Sequence, residues 1–209
     1  MKPWEDHYSR QAKKEGFPAR SIYKIQEIHR KYNLIRKGDR VLDLGCHPGS
    51  WLKFSAGLTG DRGHVIGIDL KPVSIKLPAH VRTYTGDIMR FDEDLAASVG
   101  NGFNVVLSDM APNTTGSRET DAARSFHLCM LALSIAQTRL IRGGSFVCKI
   151  FHGGDLKNFS ESVKSSFYQY KVFKPSASRK ASREIFIIGL GKKIGGYRVW
   201  TQQMVDNKT

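Results

Sequence analysis

Three aspartates stand at the ends of successive predicted strands, where a ligand with several hydroxyl groups could bind. They are Asp69 in HVIGIDL, Asp87 in HVRTYTGD and Asp109 in FNVVLSDMAP. Because the carboxyl ends of parallel strands meet at one rim of a sheet, we expect these side chains to face the same crevice. A carboxylate there can accept hydrogen bonds from both hydroxyls of a ribose. Any one of these acids alone is more typical of a helix cap or loop, but the set of three predicts a site for an adenosine-bearing ligand.

The segment VLDLGCHPGSW at residues 41–51 supplies the turn that such a crevice needs. A short apolar strand is followed by Gly45 and Gly49, which can adopt positive φ and let a ligand approach the backbone. Apolar residues then recur at helical spacing, starting with Trp51. The turn reads GCHPG and lacks the G-x-G-x-x-G spacing, which disfavours a nicotinamide oxidoreductase.

Two charged residues lie inside predicted apolar strands, Lys149 in GSFVCKIF and Glu184 in SREIFIIGLG. An ammonium group in an apolar strand is costly unless it has partners. The alternatives are an edge position with a snorkelling side chain for Lys149 and a surface salt bridge for Glu184.

Strands and helices alternate along most of the chain. Residues 21–36 place Ile22, Ile25, Ile28, Tyr32 and Ile35 on one helical face. The later helices are predicted over 50–58, 118–141 and 155–166, and the strands over 41–45, 64–70, 80–87, 103–112 and 144–151. Two strands without an intervening helix end the pattern. This order predicts an α/β fold with a doubly wound, mostly parallel seven-stranded sheet and a C-terminal antiparallel hairpin at its edge.

The chain of 209 residues is long enough for one domain. We expect a basic N-terminal helical extension over 1–40, a catalytic core over 41–191 and a tail over 192–209. The net charge of +14 is concentrated at the ends: residues 1–40 contribute +6 and residues 171–198 contribute +7. Two basic ends around a nearly neutral middle indicate a polyanion footprint, and nucleic acid is the favoured partner.

The remaining composition favours a cytoplasmic protein. No apolar run approaches the length of a membrane span, and the first residues lack the apolar region of a secretory signal. The three cysteines form no C-x-x-C pair, which fits a reducing compartment. Adjacent Cys46 and His47 lack the spacing of zinc ligands, so no metal site is predicted.

The motifs together resemble the FtsJ/RrmJ family of S-adenosylmethionine-dependent RNA ribose 2′-O-methyltransferases. The resemblance covers residues 6–191 and rests on RSIYKIQEI, VLDLGCHPGSW, GIDL, GDI, LSDMAPN, VCKIF and SREIFIIG, in the family's order. It implies that Gly49 and Trp51 line the cofactor loop, that Asp69 binds the ribose and Asp87 the adenine edge, and that Asp109 lies beside the methionyl end. Cys46 and His47 depart from the small residues that the family usually has at these positions.

The resemblance also implies a catalytic tetrad of Lys24, Asp109, Lys149 and Glu184. Lys24 alone would be an ordinary solvated helix lysine, and only the resemblance marks it. A lysine can accept the ribose proton only when it is neutral, and burial or a second ammonium favours that form. Lys149 is therefore expected to be the base and Lys24 a co-activator, with Glu184 and Asp109 holding the lysines in place.

The expected activity is methylation of a ribose 2′-hydroxyl in structured RNA by a monomeric enzyme that binds no membrane. The family's usual substrate is a uridine of large-subunit ribosomal RNA. A tRNA ribose is an alternative substrate. A ribosome-assembly factor that binds cofactor and RNA without turnover is an alternative of a different class.

Overall fold

A seven-stranded sheet forms the centre of the computed structural model, which describes residues 7–153, 155–179 and 181–194. The strands are β1 (Arg40–Leu44), β2 (His64–Asp69), β3 (Val81–Thr85), β4 (Phe103–Ser108), β5 (Leu140–Phe151), β6 (Phe167–Phe173) and β7 (Glu184–Lys192). Their order is β3-β2-β1-β4-β5-β7-β6. β1 to β5 are parallel, and β7 is antiparallel to both β5 and β6. The predicted fold class, including the antiparallel C-terminal hairpin, is confirmed.

Helices cover both faces of the sheet. They are α1 (His7–Lys14), α2 (Ile22–Tyr32), α3 (Ser50–Thr59), α4 (Glu93–Val99), α5 (Arg118–Arg139) and α6 (Leu156–Ser166), with a 3-10 helix over Ile88–Arg90. α1, α2 and α3 share one apolar core with residues of β1, β4, β5 and β7, while α5 and α6 share the other. Because both faces are covered, the central strands are apolar along nearly their whole length.

α2 forms because its isoleucines recur at helical spacing. Ile22, Ile25 and Ile28 are fully buried against the sheet. The helix ends at Tyr32, since Asn33 adopts a left-handed conformation (φ 49°, ψ 51°). Ile35 is buried in the same core but follows the helix, so the predicted extent of 21–36 is wrong at its C-terminal end.

Other predicted boundaries also differ from the structure. β4 ends at Ser108 rather than at residue 112, and α5 ends at Arg139 rather than at residue 141. β5 begins at Leu140, four residues before its predicted start, because Leu140 pairs with Phe103 beyond an irregularity in the ladder. α4 was not predicted; the Asp92 side chain accepts a hydrogen bond from the Leu95 N–H at its N-terminus.

The strand order creates a crevice at the carboxyl end of β1. β2 lies on one side of β1 and β4 on the other, which is the point where doubly wound sheets bind ligands. The division of the chain into extension, core and tail remains a prediction. Lys180 and the residues after 194, including most of the proposed tail, lie outside the described residues. In the described ranges, no helix combines the length and apolar character that crossing a bilayer requires.

Candidate active site

Four charged side chains from four segments meet beyond the carboxyl end of β4. We call Lys24, Asp109, Lys149 and Glu184 the lysine cluster. Lys149 lies on β5 and Glu184 starts β7, where Glu184 pairs with Phe151 and Phe186 pairs with Lys149. Because paired residues of neighbouring strands share a face, these strands present Lys149 and Glu184 on the same side of the sheet.

α2 brings Lys24 onto that same side. Its ammonium Nζ lies 2.8 Å from each carboxylate oxygen of Glu184 and 3.9 Å from Oδ1 of Asp109. The ring of Phe186 lies beneath it, with 5.9 Å from Nζ to the ring centroid. α2 is itself held in place by Trp51, whose indole N–H donates to the carbonyl of Ser21 at 2.9 Å.

Lys149 reaches the same aspartate from the other direction. Its Nζ lies 3.0 Å from Asp109 Oδ1 and donates to the backbone carbonyl of Asp109. Both ammonium groups are thus within 4 Å of a single carboxylate oxygen. The four side chains are only 7–17% exposed. Two lysines and two acids therefore form a largely buried, charge-balanced cluster, and neither the edge position nor the surface salt bridge applies.

A cavity of about 280 Å³ adjoins the cluster through Asp109. We call it the rim cavity; it is lined by Gly45, His47, Asp69, Leu70, Gly86, Asp87, Ile88, Met89, Asp109, Met110, Ala111 and Leu128. The three aspartates predicted to share a crevice all line it. Its volume is near the lower end of the range for small-molecule sites, about 300–1,000 Å³.

Backbone N–H groups hold the rim carboxylates in position. Asp69 accepts from the N–H of His47 and from that of Lys71, both at 2.9 Å. Asp87 accepts from the Met89 N–H at 2.9 Å and caps the 3-10 helix. Fixed in this way, the carboxylates remain acceptors for ligand hydroxyl or amino groups without needing to reorganise.

Comparison with known proteins shows which family this chain belongs to. The sequence profile of FtsJ-like methyltransferases matches residues 17–192, most of the chain. The chain belongs to the FtsJ-like methyltransferase family.

Individual relatives agree with this family assignment. The chain is 53% identical over 190 residues to the ribosomal RNA large subunit methyltransferase E of Desulforapulum autotrophicum, covering 91% of this chain and 94% of that protein. It is 51% identical to the protein of the same name from Desulfosudis oleivorans, covering 90% and 91%. A Plasmodium falciparum structure described as a ribosomal RNA methyltransferase superposes with a TM-score of 0.70 at 25% identity, covering 83% and 97%.

As a member of this family, the chain is a methyltransferase whose methyl donor is S-adenosylmethionine, and the rim cavity fits that donor. Gly45 has φ +76°, and a Cβ there would lie 2.5 Å from Met110 Cγ, so only glycine keeps this wall open. Leu70 and Met89 are 67% and 57% exposed at the rim. A flat apolar ring bound beside them would cover surface that is otherwise costly to expose.

Asp43 is a buried acid near the rim cavity but is not part of its lining. It lies on β1 and is only 1% exposed, and neither carboxylate oxygen has a hydrogen-bonding partner among the described residues. Burial, then the negative charges of Asp109 and Asp69, raise the pKa of Asp43 well above its ordinary value. A buried polar group without a partner is rare in proteins.

Gly49 and Trp51 lie outside the lining of the rim cavity. Gly49 immediately precedes α3 and has φ +107°, and a Cβ there would approach Val73 and Ile75 to 2.9 and 2.8 Å. Trp51 is 3% exposed and packs on Phe186, with 6.0 Å between ring centroids. Both residues therefore have a role in packing, and their assignment to the cofactor loop stays a prediction.

Cys46 and His47, which depart from the family pattern, lie in two different environments. Cys46 is buried in the core, where its Sγ lies close to Gly67, and burial raises its thiol pKa. His47 lines the rim cavity, and its ring Nδ1 lies 3.2 Å from the Pro72 carbonyl. Across the described ranges, no three His, Cys, Asp or Glu side chains group closely enough to hold a metal ion.

Sequence reasoning missed most of the apolar lining of the rim cavity. Leu70, Ile88, Met89 and Met110 follow directly after strands or turns that carry an aspartate. Their proximity to Asp69, Asp87 and Asp109 was a usable signal, because residues next to a strand end reach the same rim.

Proposed function

We propose that this protein transfers the methyl group of S-adenosylmethionine to a ribose 2′-hydroxyl of large-subunit ribosomal RNA. The observation that carries this proposal is the lysine cluster, assembled beside Asp109 at the wall of the rim cavity. A ribose hydroxyl is a poor nucleophile at neutral pH, so its proton must leave as the new bond forms. A buried lysine adjacent to the donor site provides a group for that task. The names of the relatives supply the class of RNA.

Within this proposal, the residues of the lysine cluster have distinct roles. Bound in the rim cavity, S-adenosylmethionine supplies an electrophilic methyl group on a positively charged sulfur. Lys149 accepts the proton of the 2′-hydroxyl at Nζ. Lys24 orients the hydroxyl and adds a second positive charge near the developing alkoxide. Glu184 holds Lys24 through both carboxylate oxygens, and Asp109 holds Lys149 through its carboxylate and its carbonyl.

Asp69 and Asp87 are proposed to bind the donor. The fixed carboxylate of Asp69 is suited to both ribose hydroxyls of the adenosine, because each oxygen keeps a second lone pair. Asp87 lies next to Ile88 and Met89, which suits it to the edge of the adenine ring. Neither residue is assigned a part in proton transfer.

The RNA footprint is proposed to be the surface where the two basic ends of the chain meet. Glu27 on α2 accepts from the backbone N–H groups of Ser176 and Ala177, at 2.8 and 2.9 Å. Lys31 lies 4.9 Å from the ring centroid of Phe173 on β6. Segments far apart in sequence thereby combine into one basic surface next to Lys24. Such a surface binds the phosphate backbone almost independently of sequence. The target nucleotide is then selected by the shape of the RNA.

We place this reaction in the cytoplasm and assign it to a monomer. Cys46, Cys129 and Cys148 are all buried and unbonded to one another, as expected of a protein kept in a reducing compartment. The target base, expected from the sequence to be uridine, remains a prediction.

Mapping 2′-O-methyl groups tests the function in the cell. We expect one methylated position in large-subunit ribosomal RNA to disappear when the gene is deleted, and to return with the wild-type gene but not with Lys149→Ala. Loss of a tRNA methyl group instead would reassign the substrate. Restoration by Lys149→Ala would show that Lys149 is not the required base, and single-turnover methyl transfer by the purified protein separates an enzyme from an assembly factor without turnover.

A further inference from the structure

Glu27 on α2 binds the backbone of the loop between β6 and β7, residues 174–183, which we call the β6–β7 loop. One of its carboxylate oxygens accepts from the Ser176 N–H at 2.8 Å, and the other accepts from the Ala177 N–H at 2.9 Å. Ala177 is fully buried at this contact, and its carbonyl accepts from the Arg20 guanidinium. Hydrogen bonds to a carboxylate are roughly twice as strong as those between neutral groups. A pair of such bonds therefore holds the loop on α2.

Glu27 lies next to a residue of the lysine cluster. It follows Lys24 by three positions on α2, and residues at that spacing are neighbours on a helix surface. Lys24 binds Glu184, the residue directly after the β6–β7 loop, with 2.8 Å from Nζ to each carboxylate oxygen. The Glu184 N–H in turn donates to the Ser182 hydroxyl at 3.2 Å. α2 thus contacts the loop near its start through Glu27, and contacts the residue after its end through Lys24.

The same two segments enclose a second cavity, of about 420 Å³, beside the lysine cluster. Its lining consists of Arg20, Ser21, Lys24, Arg179, Ala181, Ser182 and Glu184. Residues 20–24 form one wall, and residues 179–184 form the other. Lys24 and Glu184 belong to the cluster as well, so the separation of the two walls determines where two of its four charged groups lie.

The ion pair between Lys24 and Glu184 does not fix the position of either group by itself, because holding two long side chains in one geometry costs side-chain entropy. Glu27 reduces this freedom by holding the backbone that leads into Glu184. We propose that Glu27 is a positioning residue for methyl transfer, which holds the β6–β7 loop on α2 and thereby keeps Glu184 and Lys24 aligned with the ribose that receives the methyl group. Glu27 lines neither cavity, so its effect reaches the reaction only through these neighbours. This inference rests on the proposed function.

Single-turnover methyl transfer at saturating large ribosomal subunits and S-adenosylmethionine tests this role. Glu27→Ala should be about 10- to 100-fold slower than the wild type, as expected when reacting groups lose their alignment. Glu27→Gln should be intermediate, because its amide oxygen can still accept from one of the two N–H groups. Affinity for S-adenosylmethionine should be unchanged, since the rim cavity shares no residue with this contact.

Asp39→Ala is the matched control for the loss of a carboxylate that binds backbone. Asp39 accepts from the Arg36 N–H at 2.7 Å, and it directly precedes β1 at the amino edge of the sheet. Its substitution removes a comparable bond far from the lysine cluster. Asp39→Ala should therefore keep the wild-type rate of methyl transfer.

Amide hydrogen exchange shows whether Glu27 holds the loop. Peptides covering residues 174–183 should exchange faster in Glu27→Ala than in the wild type, while peptides covering β1 and β4 should exchange at the same rate in both proteins. The comparison separates a local release of the loop from a general loss of stability. It requires neither RNA nor donor, so it tests the contact independently of the reaction.

The outcomes separate this proposal from the function it rests on. If the loop exchanges faster in Glu27→Ala but methyl transfer keeps its rate, or if loop exchange is unchanged, the positioning role is wrong while methyl transfer stands. The same holds if Asp39→Ala is slowed as much as Glu27→Ala, or if β1 and β4 also exchange faster, because the effect would then be one of general stability. If the wild type transfers no methyl group to any RNA, the proposed function fails and the positioning role fails with it.

Discussion

In the proposed reaction, the chemical step depends on Lys149. It lies on a central strand with its ammonium group 3.0 Å from Asp109 Oδ1, and its side chain is 7% exposed. The Asp109 carboxylate that contacts it also lines the rim cavity, so Lys149 lies next to the proposed donor site.

Lys149→Ala should abolish methyl transfer while leaving the fold and cofactor binding largely intact. Lys149→Arg should be nearly as inactive, because a guanidinium stays protonated and cannot act as a base. The measurement is single-turnover methyl transfer to large ribosomal subunits, made with the wild type and both variants at saturating S-adenosylmethionine.

Lys192→Arg is the matched control for the same exchange. Lys192 is also a buried strand lysine, on β7, but it donates to the Leu140 carbonyl far from the lysine cluster. We expect Lys192→Arg to keep its activity. Substantial activity in Lys149→Arg would contradict the base assignment and favour a purely electrostatic role.

Asp69→Ala should weaken binding of S-adenosylmethionine by roughly 1.5–3 kcal/mol, the value of hydrogen bonds to a charged group. The loss arises because the carboxylate, fixed by two backbone N–H groups, no longer accepts from the donor's ribose. Titration calorimetry measures the change, and Asp94→Ala on the exposed surface of α4 is the control. Equal affinity in the folded Asp69 variant would remove this residue from the site.

At the scale of elements, the β1–α3 turn forms one wall of the donor site. Gly45 and Gly38 both have positive φ, +76° and +85°, but only at Gly45 would a Cβ meet another atom, Met110 Cγ at 2.5 Å. Gly45→Ala and Gly38→Ala should therefore each lower the free energy of unfolding by about 1–3 kcal/mol, because alanine is strained at positive φ. Only Gly45→Ala should also lose cofactor affinity, which calorimetry would measure. Similar affinities in the two variants would show that this wall does not contact the donor.

The loop between β4 and α5 contributes Met110 and Ala111 to the rim cavity, and Asp121 secures it. Asp121 accepts from the Thr115 N–H at 2.7 Å and from the Thr115 hydroxyl at 3.0 Å. The backbone hydrogen bond from Thr115 is the largest of the causes that lower the Asp121 pKa below its ordinary value. The ionised carboxylate therefore stabilises the fold above the unfolded-state pKa of about 3.9, and this contribution is lost as pH falls through the lowered value.

Asp121→Asn should accordingly be less stable than the wild type at pH 7, and the difference should shrink as the solution is acidified below pH 4. Urea denaturation of both proteins across this range measures it. Asp94→Asn, an exposed residue on α4, should show no comparable trend. A stability difference that is constant with pH would mean that the charge of Asp121 does not hold the loop.

For the whole molecule, the junction of the two basic ends predicts how binding responds to salt. RNA affinity should fall steeply as salt increases, because binding releases counterions from the phosphates, and cofactor affinity should change little. Replacing Lys13 and Lys14 on α1 by Gln should reduce the RNA salt slope by about two. Replacing Arg62, exposed before β2, and Arg82, exposed on the edge strand β3, by Gln should leave it unchanged. If both pairs of substitutions reduced the RNA salt slope equally, the RNA would not bind at one localised basic surface.

The sequence was informative wherever a pattern is local. Apolar runs, glycine turns and strand-end aspartates are properties of short segments, so the sheet, the donor crevice and the shared rim of Asp69, Asp87 and Asp109 followed from them. α4 had local signals too, Asp92 before it and Gly100 after it. Its mostly exposed residues gave no clear apolar face, and it was missed.

What depends on tertiary packing could not be derived from local patterns. The bond from the Trp51 indole to the Ser21 carbonyl, which helps to hold α2 in place, has no signal in the sequence around either residue. Lys24 looks solvated in the sequence, and only the packing of α2 on β7 brings it to Glu184. The contact between residues 20–31 and 173–177 joins the basic ends, and no periodicity reveals a contact over about 150 residues.

The central claim is that this protein transfers a methyl group to a ribose oxygen of large-subunit RNA. The most direct measurement incubates purified protein with S-adenosylmethionine labelled in its methyl group and large ribosomal subunits from a strain lacking the gene. The RNA is then digested to nucleosides and the labelled nucleoside is identified. We predict label in a single 2′-O-methyl nucleoside with the wild type, and none with Lys149→Ala. Label on a base, or no transfer to RNA by a protein that binds the donor, would contradict the account.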